Sequence, residues 1–149
     1  MKKTENFEYY GIFIYENYRN KLKEFLSNIW RYNTALGHAE KQYIDHCTVL
    51  HKSAAYKDNI LNYCECCLGI ELSGKITAVG WCDKAMAFKV EFPGVPFSNK
   101  TPHITIATFD GGKPVDSNNI EIWEELEEPI EIIGKLGVRT SNGIIDYGE

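Results

Sequence analysis

Two short segments with the same alternating pattern restrict this chain more than any other feature. The first is His46-Cys47-Thr48-Val49, within Tyr43 to His51; the second is His103-Ile104-Thr105-Ile106, within Thr101 to Phe109. Each reads His-x-Thr-aliphatic. Successive side chains on a strand point to opposite faces, so a His and a Thr two positions apart share one face. Each segment is therefore expected to be a strand that offers an imidazole and a hydroxyl side by side. Two such strands brought together would set two imidazoles and two hydroxyls around one small space. That set suits a phosphodiester: one imidazole takes a proton, the other gives one, and the hydroxyls hold phosphate oxygens.

The rest of the chain supplies elements to carry them. Phe7 to Tyr15 is rich in aromatic and β-branched residues and reads as a strand. Tyr18 to Tyr32 reads as one amphipathic helix, with Leu22, Phe25, Leu26, Ile29 and Trp30 on a single stripe. Asn33 to Glu40 reads as a loop. Ser53 is placed to cap a helix running to about Cys67, with Gly69 at its end. A strand begins at Gly69 to Leu72. Lys75 to Cys82 and Lys84 to Phe92 form a hairpin turning near Asp83. Pro93 to Pro102 is a loop, and Asp110 to Pro114 a turn. Ser117 to Leu126 fits either a short helix or an extended stretch. Pro129 to Thr140 and Gly143 to Tyr147 are expected as terminal strands. This order predicts an α+β fold, mainly antiparallel sheet with helices on the outer faces. At 149 residues, without a linker or low-complexity tract, residues 1–149 read as one domain.

Composition narrows the substrate. The net charge is −5, which argues against a grip on long nucleic acid but leaves room for a small nucleotide. No apolar run is long enough to span a membrane, and the first residues lack the apolar core of a signal peptide. Five cysteines, three of them in Cys64-Glu65-Cys66-Cys67, form no spaced disulfide framework, so a cytoplasmic location is expected. The same cluster lacks the distal pair of a zinc site, and Gly111-Gly112-Lys113 lacks the spacing of a phosphate loop. No metal and no cofactor are expected. His51, three positions past Thr48, should face away from the motif pair. Tyr10, Trp81 and Tyr147 are candidates for stacking on a base, a contact that contributes about 1–3 kcal/mol per base.

The paired motifs, each with aliphatic followers in a strand, resemble the signature of the two-histidine (2H) phosphoesterase superfamily. The resemblance implies two pseudo-symmetric lobes of antiparallel sheet, each giving one motif to a central cleft. It implies a metal-independent phosphodiesterase in which His46 and His103 share general-base and general-acid work, with Thr48 and Thr105 on the phosphate. Chain length and the Tyr9 to Ile12 segment resemble the phage anti-CBASS phosphodiesterases, which cleave the 3′-5′ bonds of cyclic oligonucleotide immune signals. For such a protein the site of action is the host cytoplasm. The segment His46 to His51 is also similar to the motif of fungal-type tRNA ligase cyclic phosphodiesterase domains. Other readings of the same chemistry are an RNA 2′,3′-cyclic phosphodiesterase or 2′-5′ processing enzyme, and a cyclic mononucleotide phosphodiesterase. A non-catalytic nucleotide sponge is the alternative of another class, but it has no need of two acid–base groups.

Overall fold

A computed structural model of the chain describes residues 7–54 and 58–148. Strand β1 (Phe7–Ile14) leads into helices α1 (Glu16–Ser27) and α2 (Trp30–Leu36). Strands β2 (Lys41–Gln42) and β3 (His46–His51) and helix α3 (Asp58–Cys66) follow. The second half holds β4 (Glu71–Trp81), β5 (Ala85–Glu91), β6 (His103–Thr108), a 3₁₀ turn over Pro114–Asn119, β7 (Ile122–Thr140) and β8 (Ile145–Asp146). No helix among the described residues is long and apolar enough to cross a membrane.

The fold is α+β, and its strands pair antiparallel in the order β1-β3-β6-β5-β4-β7-β8. The long β7 also pairs with β1, so the sheet closes on itself. Two lobes share this ring. One holds β3, β1, the end of β7 and β8; the other holds β6, β5, β4 and the start of β7. They join at the Cys47↔Ile104 pair and along β7.

Strand alternation divides the ring into two faces. Ile12, Cys47, Ile104, Phe88 and Leu136 follow one another across the strands and are fully buried. All three helices pack on this face. Leu22 and Leu26 of α1, Tyr32 of α2, and Ile60, Leu61 and Cys64 of α3 join the same core. Phe25 meets Phe88 with ring centroids 6.5 Å apart. Arg31 and Tyr32 both donate to the Glu124 carboxylate, which ties α2 to β7. The opposite face carries both motif histidines.

Several expectations change in the folded chain. The helix expected over Tyr18 to Tyr32 is two helices. The chain turns extended at Ile29 (φ −111°, ψ 113°), and the second helix runs on to Leu36 through the expected loop. The break takes Trp30 off the apolar stripe and leaves it 80% exposed, while Tyr32 is buried instead. The hydroxyl of Ser53, the expected helix cap, lies 2.8 Å from His51 Nδ1, and the described part of α3 runs from Asp58. The expected helix start therefore falls partly on residues 55–57, outside the described residues. The ambiguous Ser117 to Leu126 stretch divides into the end of the 3₁₀ turn and the start of β7. The β4–β7 pairing jumps from Ile76↔Ile130 to Ala78↔Glu125, so Pro129 sits in a bulge where its missing N–H is tolerated.

Tyr10, a candidate for base stacking, is fully buried on the helix face. Its hydroxyl is the sole buried side-chain polar atom among the described residues without a hydrogen-bond partner. A buried orphan hydroxyl is costly, so Tyr10→Phe is expected to stabilise the fold by about 1 kcal/mol in chemical denaturation. A clear loss of stability would mean that the hydroxyl has a partner after all.

Candidate active site

The site begins with one register. Cys47 pairs with Ile104, so antiparallel pairing sets His46 opposite Thr105 and Thr48 opposite His103. Cys47 and Ile104 are fully buried on the helix face. The four motif side chains form a two-by-two array on the other face, all half-buried. The two imidazoles are diagonal neighbours, about 7–8 Å apart at the backbone in such a pair. That gap suits a phosphate whose attacking and leaving oxygens lie on opposite sides.

A bulge aims the first histidine. Tyr43 and Ile44 donate backbone hydrogen bonds to Ile106 and Thr105, in a register two residues out of step with Cys47↔Ile104. The slack falls on Asp45 and His46, and Ile44 takes a left-handed φ of 58° to absorb it. A β-branched residue there stores about 1–3 kcal/mol of strain. Burial of Ile44 (1% exposed) holds it in place. The Asp45 carboxylate then lies 2.8 Å from His46 Nδ1. Burial works against the charge of Asp45, but the hydrogen bond and charge of His46 outweigh it and hold the carboxyl below its usual range.

The His46 ring is packed between aromatic neighbours. Tyr9 stacks on it at 4.6 Å and Phe13 meets it at 5.5 Å, with Gly11 between them on β1. A Cβ on Gly11 would touch the His46 ring at 3.4 Å and the Cys47 carbonyl at 3.1 Å. The glycine therefore leaves the room that the imidazole occupies. Burial and then the Asp45 charge push the Tyr9 hydroxyl up to about 12.

His103 is held differently. Its Nδ1 lies 3.0 Å from the Thr101 carbonyl oxygen, which can only accept, so Nδ1 carries the proton and Nε2 keeps its lone pair. Burial lowers its pKa; the Thr101 hydrogen bond opposes this, and the His46 charge adds to it. Thr105 Oγ1 lies 3.0 Å from Ser117 Oγ, and Ser117 is buried at 2% exposure. The 3₁₀ turn thus fixes the second hydroxyl.

Of the three expected stacking residues, only Tyr147 lies on this face. It rests against Gly137, where a Cβ would come within 2.7 Å of its ring, and its ring meets Phe13 edge-on at 6.1 Å. Tyr10 points the other way because Tyr9, Gly11 and Phe13 take the site face of β1. Trp81 pairs with the core residue Met86, so it too starts from the helix face, at a sheet end, 40% exposed.

His51 is a correction. The β1–β3 pairing skips Val49, and this bulge returns His51 to the site side, where Tyr9 stacks on it at 6.4 Å. Sequence reasoning missed Tyr9, Phe13, Asp45, Ser117 and Trp123. The first two had a signal, because they alternate with Gly11 along β1. Cationic side chains also reach this face: Lys89 against Trp123, Lys135 against Tyr147, and Arg139 near Tyr9. Among the described residues, no group of three His, Cys, Asp or Glu stands ready to ligate a metal.

The fold is similar to that of a solved fungal RNA kinase, with a TM-score of 0.62 and 15% sequence identity over 88% of this chain and 44% of that one. The chain thus spans less than half the length of that structure. No curated protein matches it by sequence. The family model described as the fungal tRNA ligase phosphodiesterase domain matches residues 26–142, a stretch that holds both motif strands. The chain therefore belongs to the fungal tRNA ligase phosphodiesterase domain family.

Proposed function

We propose that the protein hydrolyses the 3′-5′ bonds of cyclic di- or trinucleotide signals, with His103 as general base and His46 as general acid. The different partner that each imidazole keeps carries the division of roles. His103 donates from Nδ1 to the Thr101 carbonyl and is kept neutral by burial, so Nε2 is free to take a proton from water. His46 faces a carboxylate through Nδ1, which fixes that proton and offsets the charge when Nε2 is protonated too. Water attacks phosphorus as His103 removes its proton, and the ribose oxygen leaves with the proton of His46. Solvent then restores both rings. Thr48 and Thr105 donate to the phosphate oxygens as charge shifts among them.

A small substrate is supported by the contrast between a chain of net charge −5 and the local cations Lys89, Lys135 and Arg139. They suffice for a few phosphates and not for a polymer. Cleavage would silence a defence signal in the host cytoplasm, the role of the phage phosphodiesterases that the motifs resemble. The family match favours a second reading, a 2′,3′-cyclic phosphate at an RNA end opened by the same four side chains. Incubation with cyclic di- and trinucleotides, 2′,3′-cyclic nucleotides, 2′-5′ dinucleotides and cyclic mononucleotides decides between them. Preferred cleavage of a 2′,3′-cyclic end over every cyclic oligonucleotide would overturn the first reading. Tight retention without cleavage would make the protein a sponge.

The base assignment has a pH signature. The activity kcat/KM should rise with pH through a pKa below the usual histidine value of about 6.5. Stability follows the same group. The unfolded chain binds this proton more readily than the fold does, so the contribution is complete above about 6.5 and is lost as pH falls through the lower folded value. In His103→Gln this part of the pH dependence of stability should vanish. An unchanged dependence would assign it to another group.

A further inference from the structure

We propose that the cleft has a second aromatic shelf, Trp123 with Lys89, so that a nucleoside is held on each side of the scissile phosphate. The proposal rests on reading the site as a phosphodiesterase and names its substrate class, a diester that joins two nucleosides. Across β6, β5, β4 and β7, Thr105 pairs with Ala87, Ala87 with Gly80, and Gly80 with Trp123. Across β3, β1 and β7, Thr48 pairs with Gly11 and Gly11 with Gly137, over which Tyr147 lies. In each lobe the row runs from the motif threonine through small residues to an aromatic ring.

The two ends match in detail. A Cβ on Gly80 would come within 2.4 Å of the Trp123 ring, just as one on Gly137 would meet Tyr147 at 2.7 Å. Both rings therefore rest on bare backbone. A lysine accompanies each: Lys89 Nζ is 5.6 Å from the Trp123 ring centroid, and Lys135 Nζ is 5.4 Å from that of Tyr147. Lys89 pairs across the sheet with His103, and Lys135 pairs with Phe13, which touches the His46 ring. Ring, ammonium, imidazole and hydroxyl thus recur in both lobes around one centre. A half-buried ring can stack a base of any sequence, and an ammonium beside it can meet the adjoining phosphate. One shelf would serve a mononucleotide; two shelves serve a phosphate flanked by two nucleosides.

The test uses purified full chain with cyclic diadenylate and, for comparison, adenosine 2′,3′-cyclic monophosphate. Trp123→Ala and Tyr147→Ala should each raise KM for the cyclic dinucleotide by about 5- to 150-fold, the range of one lost stacking contact. For the mononucleotide only one of the two variants should do so. Trp123→Phe, which keeps a ring, should return KM to within a few-fold of the wild type, a rescue that separates stacking from a folding defect. An unchanged KM for cyclic diadenylate in Trp123→Ala would overturn the second shelf, as would Trp123→Phe behaving like Trp123→Ala. Should the wild type cleave neither compound, the phosphodiesterase reading fails by itself. Calorimetric binding of cyclic diadenylate to wild type and Trp123→Ala then decides the shelf, equal affinity or no binding to either protein overturning it.

Discussion

Alanine at His46 or at His103 is expected to lower kcat by about 10²–10⁴-fold, the range that one acid–base group contributes. The fold should survive either change. Both imidazoles are half-buried on the site face, while Cys47 and Ile104 hold their strands from the helix face. The two losses should not multiply in the double variant, because base and acid act in the same transfer. The losses should also differ in kind. Removing His103 takes away the base, so the acidic limb of the pH profile should go with it; His46→Ala should keep that limb at a lower level. Steady-state kinetics across pH, with circular dichroism as the check on folding, measures both. Wild-type turnover in either variant would strip that histidine of its role.

Valine at Thr48 or at Thr105 is expected to cost about 10²–10³-fold in kcat, the usual loss when one preorganised donor to a developing oxyanion is removed. Valine keeps the β-branched shape that the strand favours, so the hydroxyl is the part deleted. The two variants should part in stability. Thr105→Val leaves the Ser117 hydroxyl, 2% exposed, without its partner and should cost about 1–3 kcal/mol of fold stability. Thr48 stands across from Gly11, and its variant should melt closer to the wild type. Equal melting with equal activity loss would mean that the Thr105–Ser117 bond contributes nothing to the fold.

The motif strands were legible because a period of two is local. His-x-Thr with apolar alternates states its own two faces, and burial follows that alternation through Val49 and Ile106. The hairpin turning after Trp81 and the glycine ending the third helix were legible for the same reason: a turn or a cap needs only its own residues. Gly69 takes φ +90°, and a Cβ there would also strike the Tyr147 carbonyl oxygen at 2.5 Å. The break at Ile29 was hidden, because the apolar stripe runs through it without interruption. Beyond the break Tyr32 turns inward and donates to Glu124, a residue far away in the sequence.

The site was legible only in its first layer. Which aromatic faces the cleft depends on pairing, and pairing depends on bulges that sequence does not announce. Tyr9 rather than Tyr10 flanks His46 because β1 and β3 meet in one register. Skipping Val49 then returns His51 to the site face. Trp123 reaches the cleft through β4 and β7, two strands far apart in the chain, whereas Trp81, conspicuous after Gly80, starts from the other face. The partners that distinguish the histidines, Asp45 and the Thr101 carbonyl, lie one and two residues from them. Their nearness in sequence said nothing of their orientation, since the turn of Asp45 toward the ring needs the bulge at Ile44.

One measurement bears on the whole account. Cyclic diadenylate is incubated with EDTA and either the wild-type protein or the His46→Ala/His103→Ala double variant, and linear product is quantified over time. Cleavage by the wild type that persists in EDTA and disappears in the double variant is the expected result. Cleavage abolished by EDTA, or retained without both histidines, would contradict it.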